Sequence, residues 1–168
     1  MRVNEACFYT VKAALEHLPP PRRVVEFGSL DVNGNVRALL GDAEYIGVDM
    51  RAGPNVTIVA DAATYDPPWR PGLVLCLNML EHTPASEAIV ANAHKMLAPS
   101  GVFIVSVPDE TFPIHSADGG MLHEGEYYKA FTLESLWRLL GAFADTVFTA
   151  NGQLIYGVGV RGNDDRAK

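Results

Sequence analysis

The sequence predicts an α/β fold built on a parallel, doubly wound sheet, and three observations predict it. Short apolar runs ending at a glycine, an acid or an amide alternate with segments of helical spacing. The 168 residues match the length of one ordinary domain. Near the end, two extended runs flank Ala150-Asn151-Gly152-Gln153, which predicts a terminal antiparallel hairpin.

Each element has its own reason. Apolar positions at Cys7, Phe8, Val11, Ala14, Leu15 and Leu18 recur at helical spacing over residues 4–18, until Pro19-Pro20-Pro21 stops them. Residues 23–28 form an apolar run closed by Gly28, as a buried parallel strand requires. Residues 33–41 predict a short helix with a glycine stop. Residues 45–49 and 56–61 predict the second and third strands, each ending in an acid, and residues 73–77 the fourth. A helix over 84–97 turns Ala88, Ile89, Ala93 and Leu97 inward, and a fifth strand over 102–107 ends at Pro108. Residues 109–130 carry no period, and so long an unpatterned stretch predicts a functional loop. Thr132 caps a further helix with Leu136, Leu139 and Leu140 inside, and residues 162–168 read as a polar tail. Trp69 and Trp137 read as packing residues.

Composition narrows the function. With 48% hydrophobic and 20% charged residues, the chain can bury a core without disulfide or metal staples. A net charge of −7 without a basic cluster disfavours nucleic acid. Cys7 and Cys76 sit apart in apolar surroundings, which predicts reduced thiols and a cytoplasmic protein. No apolar run is long enough to span a membrane. Oligomeric state is open between monomer and homodimer.

Ligands of an open α/β sheet bind at the carboxyl ends of the strands. The predicted ends are Glu26-Phe27-Gly28-Ser29, Asp49-Met50, Asp61-Ala62 and Asn78-Met79-Leu80-Glu81-His82. Such a rim of acceptors suits the hydroxyls and amine of an adenosine. A dinucleotide fingerprint needs Gly-x-Gly-x-x-Gly, and here Leu30 and Asn33 occupy its second and third glycine positions. The acids Glu26, Asp31 and Asp49 would also repel a pyrophosphate, whereas a cationic sulfonium is compatible with them. Taken singly, Gly28 and Asp49 are equally explained as turn residues.

These segments together resemble the class I S-adenosylmethionine-dependent methyltransferases, in particular the methyltransferase-11/23-like group. The resemblance runs from about residue 20 to 160 and rests on Val24-Val25-Glu26-Phe27-Gly28-Ser29, Tyr45-Ile46-Gly47-Val48-Asp49, Val59-Ala60-Asp61-Ala62, Asn78-Met79-Leu80-Glu81-His82 and Leu97-Ala98-Pro99-Ser100-Gly101. It implies a single Rossmann-like domain over residues 1–168: seven strands, the last antiparallel, in a three-layer α/β/α sandwich. It implies S-adenosylmethionine as cofactor, with Asp49 on the ribose and Asp61 and the Ala62 backbone on the adenine. Met50 would pack on the adenine face. Gly28, Ser29 and the Asn78 backbone would meet the methionine part, and Glu26 would orient the loop or the ammonium group. Leu30 and Val32 stand where the family has further glycines.

The implied reaction is an in-line methyl transfer to the oxygen or nitrogen of a small-molecule acceptor. A general base is needed only for a hydroxyl or protonated amine. The candidates are His82, His115 and His123, the first two foremost, with Asp109 and Glu110 behind them. His82 serves equally well as a packing residue, and His123 beside Glu124 as a solvent-exposed one. Tyr127, Tyr128 and Phe131 either wall the acceptor pocket or anchor the loop of 109–130. No metal-ligand spacing joins His82, His115 and His123, so no metal is expected. Two other readings compete: a non-catalytic S-adenosylmethionine-binding or interaction module, and an NAD-dependent oxidoreductase.

Overall fold

The structure is a computed structural model and describes residues 5–163; residue 4 of the expected first helix and 164–168 of the expected tail lie outside the described residues. Helix α1 (Glu5–Glu16) precedes strands β1 (Arg23–Phe27), β2 (Glu44–Asp49), β3 (Ile58–Val59) and β4 (Leu73–Leu77). Then come helix α2 (Ser86–Met96), strand β5 (Val102–Pro108), helix α3 (Leu133–Leu139) and the hairpin β6 (Asp145–Asn151) and β7 (Leu154–Val160). The seven strands form one sheet in the order β3-β2-β1-β4-β5-β7-β6. All pairings through β5 are parallel, and β7 runs antiparallel to both β5 and β6. The expected fold class is the one observed.

Alternation along the central strands sends side chains to two cores. Val24, Leu73, Leu75 and Ile104 meet Cys7 and Val11 of α1 on one face. Val25, Phe27, Val74, Cys76 and Val105 meet Ile89, Val90 and Ala93 of α2 and Leu136 and Leu140 on the other. Three layers result. Every residue of β5 is buried, as expected for a strand covered on both faces. Thr132 caps α3 in a reciprocal box, its hydroxyl accepting from the Ser135 backbone while the Ser135 hydroxyl accepts from the Thr132 backbone.

Four expectations need correction. On α2, Ala88 is exposed, and Val90 is buried beside Ile89 and Ala93. The helix expected over 33–41 is a single 3-10 turn, Arg37–Leu39. Asp31 takes its place as organiser: its carboxylate accepts from the Gly34 backbone at 2.7 Å and the Asn35 amide at 2.6 Å, and Asn35 accepts from the Arg37 backbone. These local bonds compete with helix formation. The third strand is two residues long rather than six, because the Thr57 hydroxyl bonds both the N–H and C=O of Gly47 and β3 is an exposed edge. Trp137 is 59% exposed on α3 and does not pack, whereas Trp69 does, with its indole N–H on Glu44.

Candidate functional site

The parallel register aligns Phe27 with Val48 and with Cys76, so β1, β2 and β4 end along one rim. A cleft of about 700 Å³ opens there. It is lined by every residue expected to hold the cofactor: Glu26, Gly28, Ser29, Asp49, Met50, Asp61, Ala62 and Asn78. It also takes in His82 and His115, but not His123, Asp109 or Glu110.

Gly28 makes the turn possible. Its φ is +69°, and a Cβ there would lie 2.5 Å from the Met79 side chain. The Gly28 and Ser29 backbones both donate to the Val48 carbonyl, which holds the loop against β2. Behind the turn, Glu26 accepts from the Tyr45 hydroxyl and, at 3.4 Å, from Asn55, whose amide also donates to the Ser29 carbonyl at 3.0 Å. Of the two roles expected for Glu26, the hydrogen bonds match orienting the loop. Burial pushes its carboxyl up to about 7, against the hydroxyl and amide bonds that favour the charged form. Asp31 fastens the loop that follows the turn, and Gly34 bends it at φ +106°.

Asp49 accepts from the Leu30 backbone at 3.3 Å and the Arg51 backbone at 2.9 Å. Asp61 accepts from the Ala63 backbone at 2.8 Å through one oxygen. Met50 is 74% exposed at the mouth, and Ala62 is buried at the wall. Asn78 adopts φ +50°, with its side-chain oxygen accepting from the Ser106 hydroxyl and its N–H donating to the Ser106 carbonyl at 2.9 Å. The Ser29 hydroxyl is buried without a partner. Backbone that approaches closely at Gly28, an orphaned Ser29 hydroxyl and carboxylates with spare lone pairs fit an adenosine-bearing cation.

The other end of the cleft is built differently. Leu80–His82 form a 3-10 turn that buries Leu80 and Glu81 completely. Neither carboxylate oxygen of Glu81 has a hydrogen-bond partner on another side chain. Burial lifts the Glu81 carboxyl to about 8. It also lowers the half-buried His82 to about 4, with the neighbouring His115 adding to the effect. The His82 and His115 rings meet edge-on, 5.0 Å between centroids, and Tyr128 touches both at 5.7 and 5.2 Å. His123 lies apart, 3.2 Å from Asp118 in the exposed part of the loop, a bond that raises its pKa.

The loop of 109–130 is ordered by its own polar groups. The Ser116 hydroxyl donates to Glu126, which also accepts from the His123 backbone. The Lys129 backbone donates to the Glu81 carbonyl at 2.9 Å, and Phe131 is buried in the core as the loop's anchor. Of the three aromatic residues, Tyr128 faces the histidines, Phe131 anchors, and Tyr127 is 39% exposed. Sequence reasoning missed Glu81 as a site residue, although the motif contains it. It also missed the Glu26-Tyr45-Asn55 network, whose members are far apart in the chain and carry no shared pattern.

A seven-stranded sheet with an acid-rimmed cleft at its switch point is the frame of a nucleoside-cofactor enzyme. The family described as a methyltransferase domain matches residues 2–143, and the chain belongs to it. It is an S-adenosylmethionine-dependent methyltransferase, which sets aside the oxidoreductase reading. No curated protein matches it in sequence. Among solved structures it is similar to the 1,6-didemethyltoxoflavin-N1-methyltransferase of Burkholderia thailandensis, with bound 1,6-didemethyltoxoflavin and S-adenosylhomocysteine. That likeness has TM-score 0.72 at 20% identity over 95% of this chain and 80% of the other. It is also similar to the N-methyltransferase NodS of Bradyrhizobium japonicum in complex with S-adenosylhomocysteine, with TM-score 0.66 and 11% identity over 95% and 87% of the two chains. Human N-acetylserotonin methyltransferase in complex with its cofactor matches with TM-score 0.66 and 12% identity over 92% of this chain and 51% of the human one.

Proposed function

We propose that this enzyme methylates an oxygen or nitrogen of a small-molecule acceptor, with the acceptor seated between the Gly28 turn and the loop of 109–130. One observation carries the reading: a single cleft joins the eight cofactor-side residues to His82 and His115. When bound, S-adenosylmethionine supplies a methyl group on a sulfonium, already a good leaving group. The protein's task is then alignment and exclusion of water.

In this reading Asp49 accepts the ribose hydroxyls, and Asp61 with the Ala62 backbone reads the adenine while Met50 covers its face. Gly28, Ser29 and the Asn78 backbone hold the methionine part. Glu26 keeps the turn in place through Asn55. His82 and His115 are the groups that engage the acceptor's nucleophilic atom, with Tyr128 packed behind them. The acidic chain and small cleft favour a metabolite over a nucleic acid. The two reduced, buried cysteines support a cytoplasmic enzyme.

The test has two arms. Calorimetry should give binding of S-adenosylmethionine and S-adenosylhomocysteine and none of NAD. An acceptor screen followed by S-adenosylhomocysteine release should then give turnover with a hydroxyl or amine compound. Tight cofactor binding with no turnover on any acceptor would favour the non-catalytic module instead.

A further inference from the structure

We propose that Glu81, His82 and His115 form a binding site for a divalent first-row transition-metal ion, and that the methyl acceptor is a hydroxyl compound that joins this ion as a further ligand. The inference rests on the proposed place of the two imidazoles at the acceptor end of the cleft. It revises the expectation from sequence spacing, which could not bring together a residue after β4 and one in the middle of a long loop.

Four observations carry it. One ligand atom from each of Glu81, His82 and His115 lies within 4.8 Å of the others. The Glu81 carboxylate is fully buried, lines the cleft and has no hydrogen-bond donor from another side chain on either oxygen. A buried carboxylate in that state is costly, and native proteins give such groups a partner. The His82 Nε2 lies 3.8 Å from Oε1, too far for a hydrogen bond and well placed for a shared ion. His115 is oriented from behind. Its Nδ1 lies 3.0 Å from the Pro113 carbonyl, which can only accept, so Nδ1 is the donor and, in the neutral ring that a metal requires, Nε2 offers its lone pair. A backbone carbonyl on the far nitrogen is how metal-ligating histidines are commonly fixed.

The donor set selects the ion. Two imidazoles and one carboxylate suit Mn²⁺, Fe²⁺, Co²⁺ or Zn²⁺ and leave positions open. Metal–nitrogen distances of about 2.1 Å bring ligand atoms to roughly 3–3.5 Å from one another. The triad must therefore close by about 1 Å, and His115, on a loop, is the member free to approach. Glu81 and His82 are held at the floor by the 3-10 turn.

An ion here gives the cleft a reason to choose a hydroxyl. The acceptor oxygen binds at an open position and its O–H bond weakens. The proton leaves to solvent, the oxygen forms the new O–CH₃ bond, and the S–CH₃ bond breaks with its electron pair going to sulfur. The products are the methyl ether, S-adenosylhomocysteine and one proton.

Full-length protein, stripped with a chelator, is titrated with Co²⁺ and followed by visible absorption, with and without competing Zn²⁺. One equivalent should bind, and Zn²⁺ should displace it. Glu81→Gln and His115→Ala should each weaken Co²⁺ binding by at least about tenfold. His115→Ala, on the loop, serves if Glu81→Gln does not fold. Absence of stoichiometric binding, or binding unchanged in both variants, overturns the site. Protein that binds S-adenosylmethionine but no Co²⁺ removes the metal site and leaves the methyltransferase reading intact. Protein that binds Co²⁺ through these residues but no S-adenosylmethionine does the reverse.

Discussion

The two ends of the cleft hold carboxylates in opposite conditions. At the β1–β3 end, Glu26, Asp49 and Asp61 each accept from a side chain or backbone of the protein itself. At the β4 end, Glu81 is more deeply buried and accepts from no other side chain. The first set is engaged in holding its own loops and offers what lone pairs remain. The second is buried with neither oxygen engaged by another side chain. In the proposed reading, the difference separates a pre-formed cofactor seat from a site completed by its ligand.

The sharpest way to break this comparison is at His82. His82→Ala should lower turnover by about 100- to 10,000-fold, measured by S-adenosylhomocysteine release, while calorimetry shows unchanged cofactor affinity. Full activity in that variant would remove the β4 end from the chemistry.

Glu26 tests the other end through pH. Its carboxyl is raised from the ordinary 4.5 to about 7 by burial, so the folded state holds a proton that the unfolded chain has lost in that interval. The corresponding stability is complete below about 4.5 and is lost as pH rises through about 7. Wild type should therefore lose stability relative to Glu26→Gln across that window, by on the order of 3 kcal/mol. Parallel urea titrations from pH 4.5 to 8 measure it, and superimposable pH profiles would show that Glu26 is not held protonated.

Asp49→Ala should cost about 1–3 kcal/mol of cofactor affinity by calorimetry, since a buried hydroxyl donor would lose its acceptor. Unchanged affinity would refute the ribose assignment. The smallest effect belongs to Asp61→Ala. Its carboxylate is exposed and already turned to Ala63, so a loss of about 1 kcal/mol or less is expected. A loss larger than that of Asp49→Ala would invert the roles given to the two acids.

The strands were legible in the sequence because burial on both faces demands long apolar runs, and β1, β4 and β5 supply them. Segments organised by side-chain hydrogen bonds were not. Residues 33–41 have a helical spacing of apolar positions, but Asp31 and Asn35 bind the backbone first. The residues proposed for the cofactor could be read as lining one cleft because they sit at strand ends, which sequence order locates. The acceptor side depends on a loop returning to β4, and His115 reaches His82 only through the fold of residues 109–130. His123 ranked behind His82 and His115 in the sequence, and in the fold it pairs with Asp118 away from the cleft.

The sheet order has a consequence for synthesis. Strand β7, near the end of the described chain, is the one that covers the edge of β5 and carries β6 beyond it. A nascent chain emerging from the ribosome at about 5–20 residues per second exposes that apolar edge for several seconds before its partner exists. An unpaired edge of this kind is a template for pairing with other chains. Shortening by the terminal hairpin should therefore yield aggregation rather than a smaller soluble protein, and slow translation late in the message should favour the same fate.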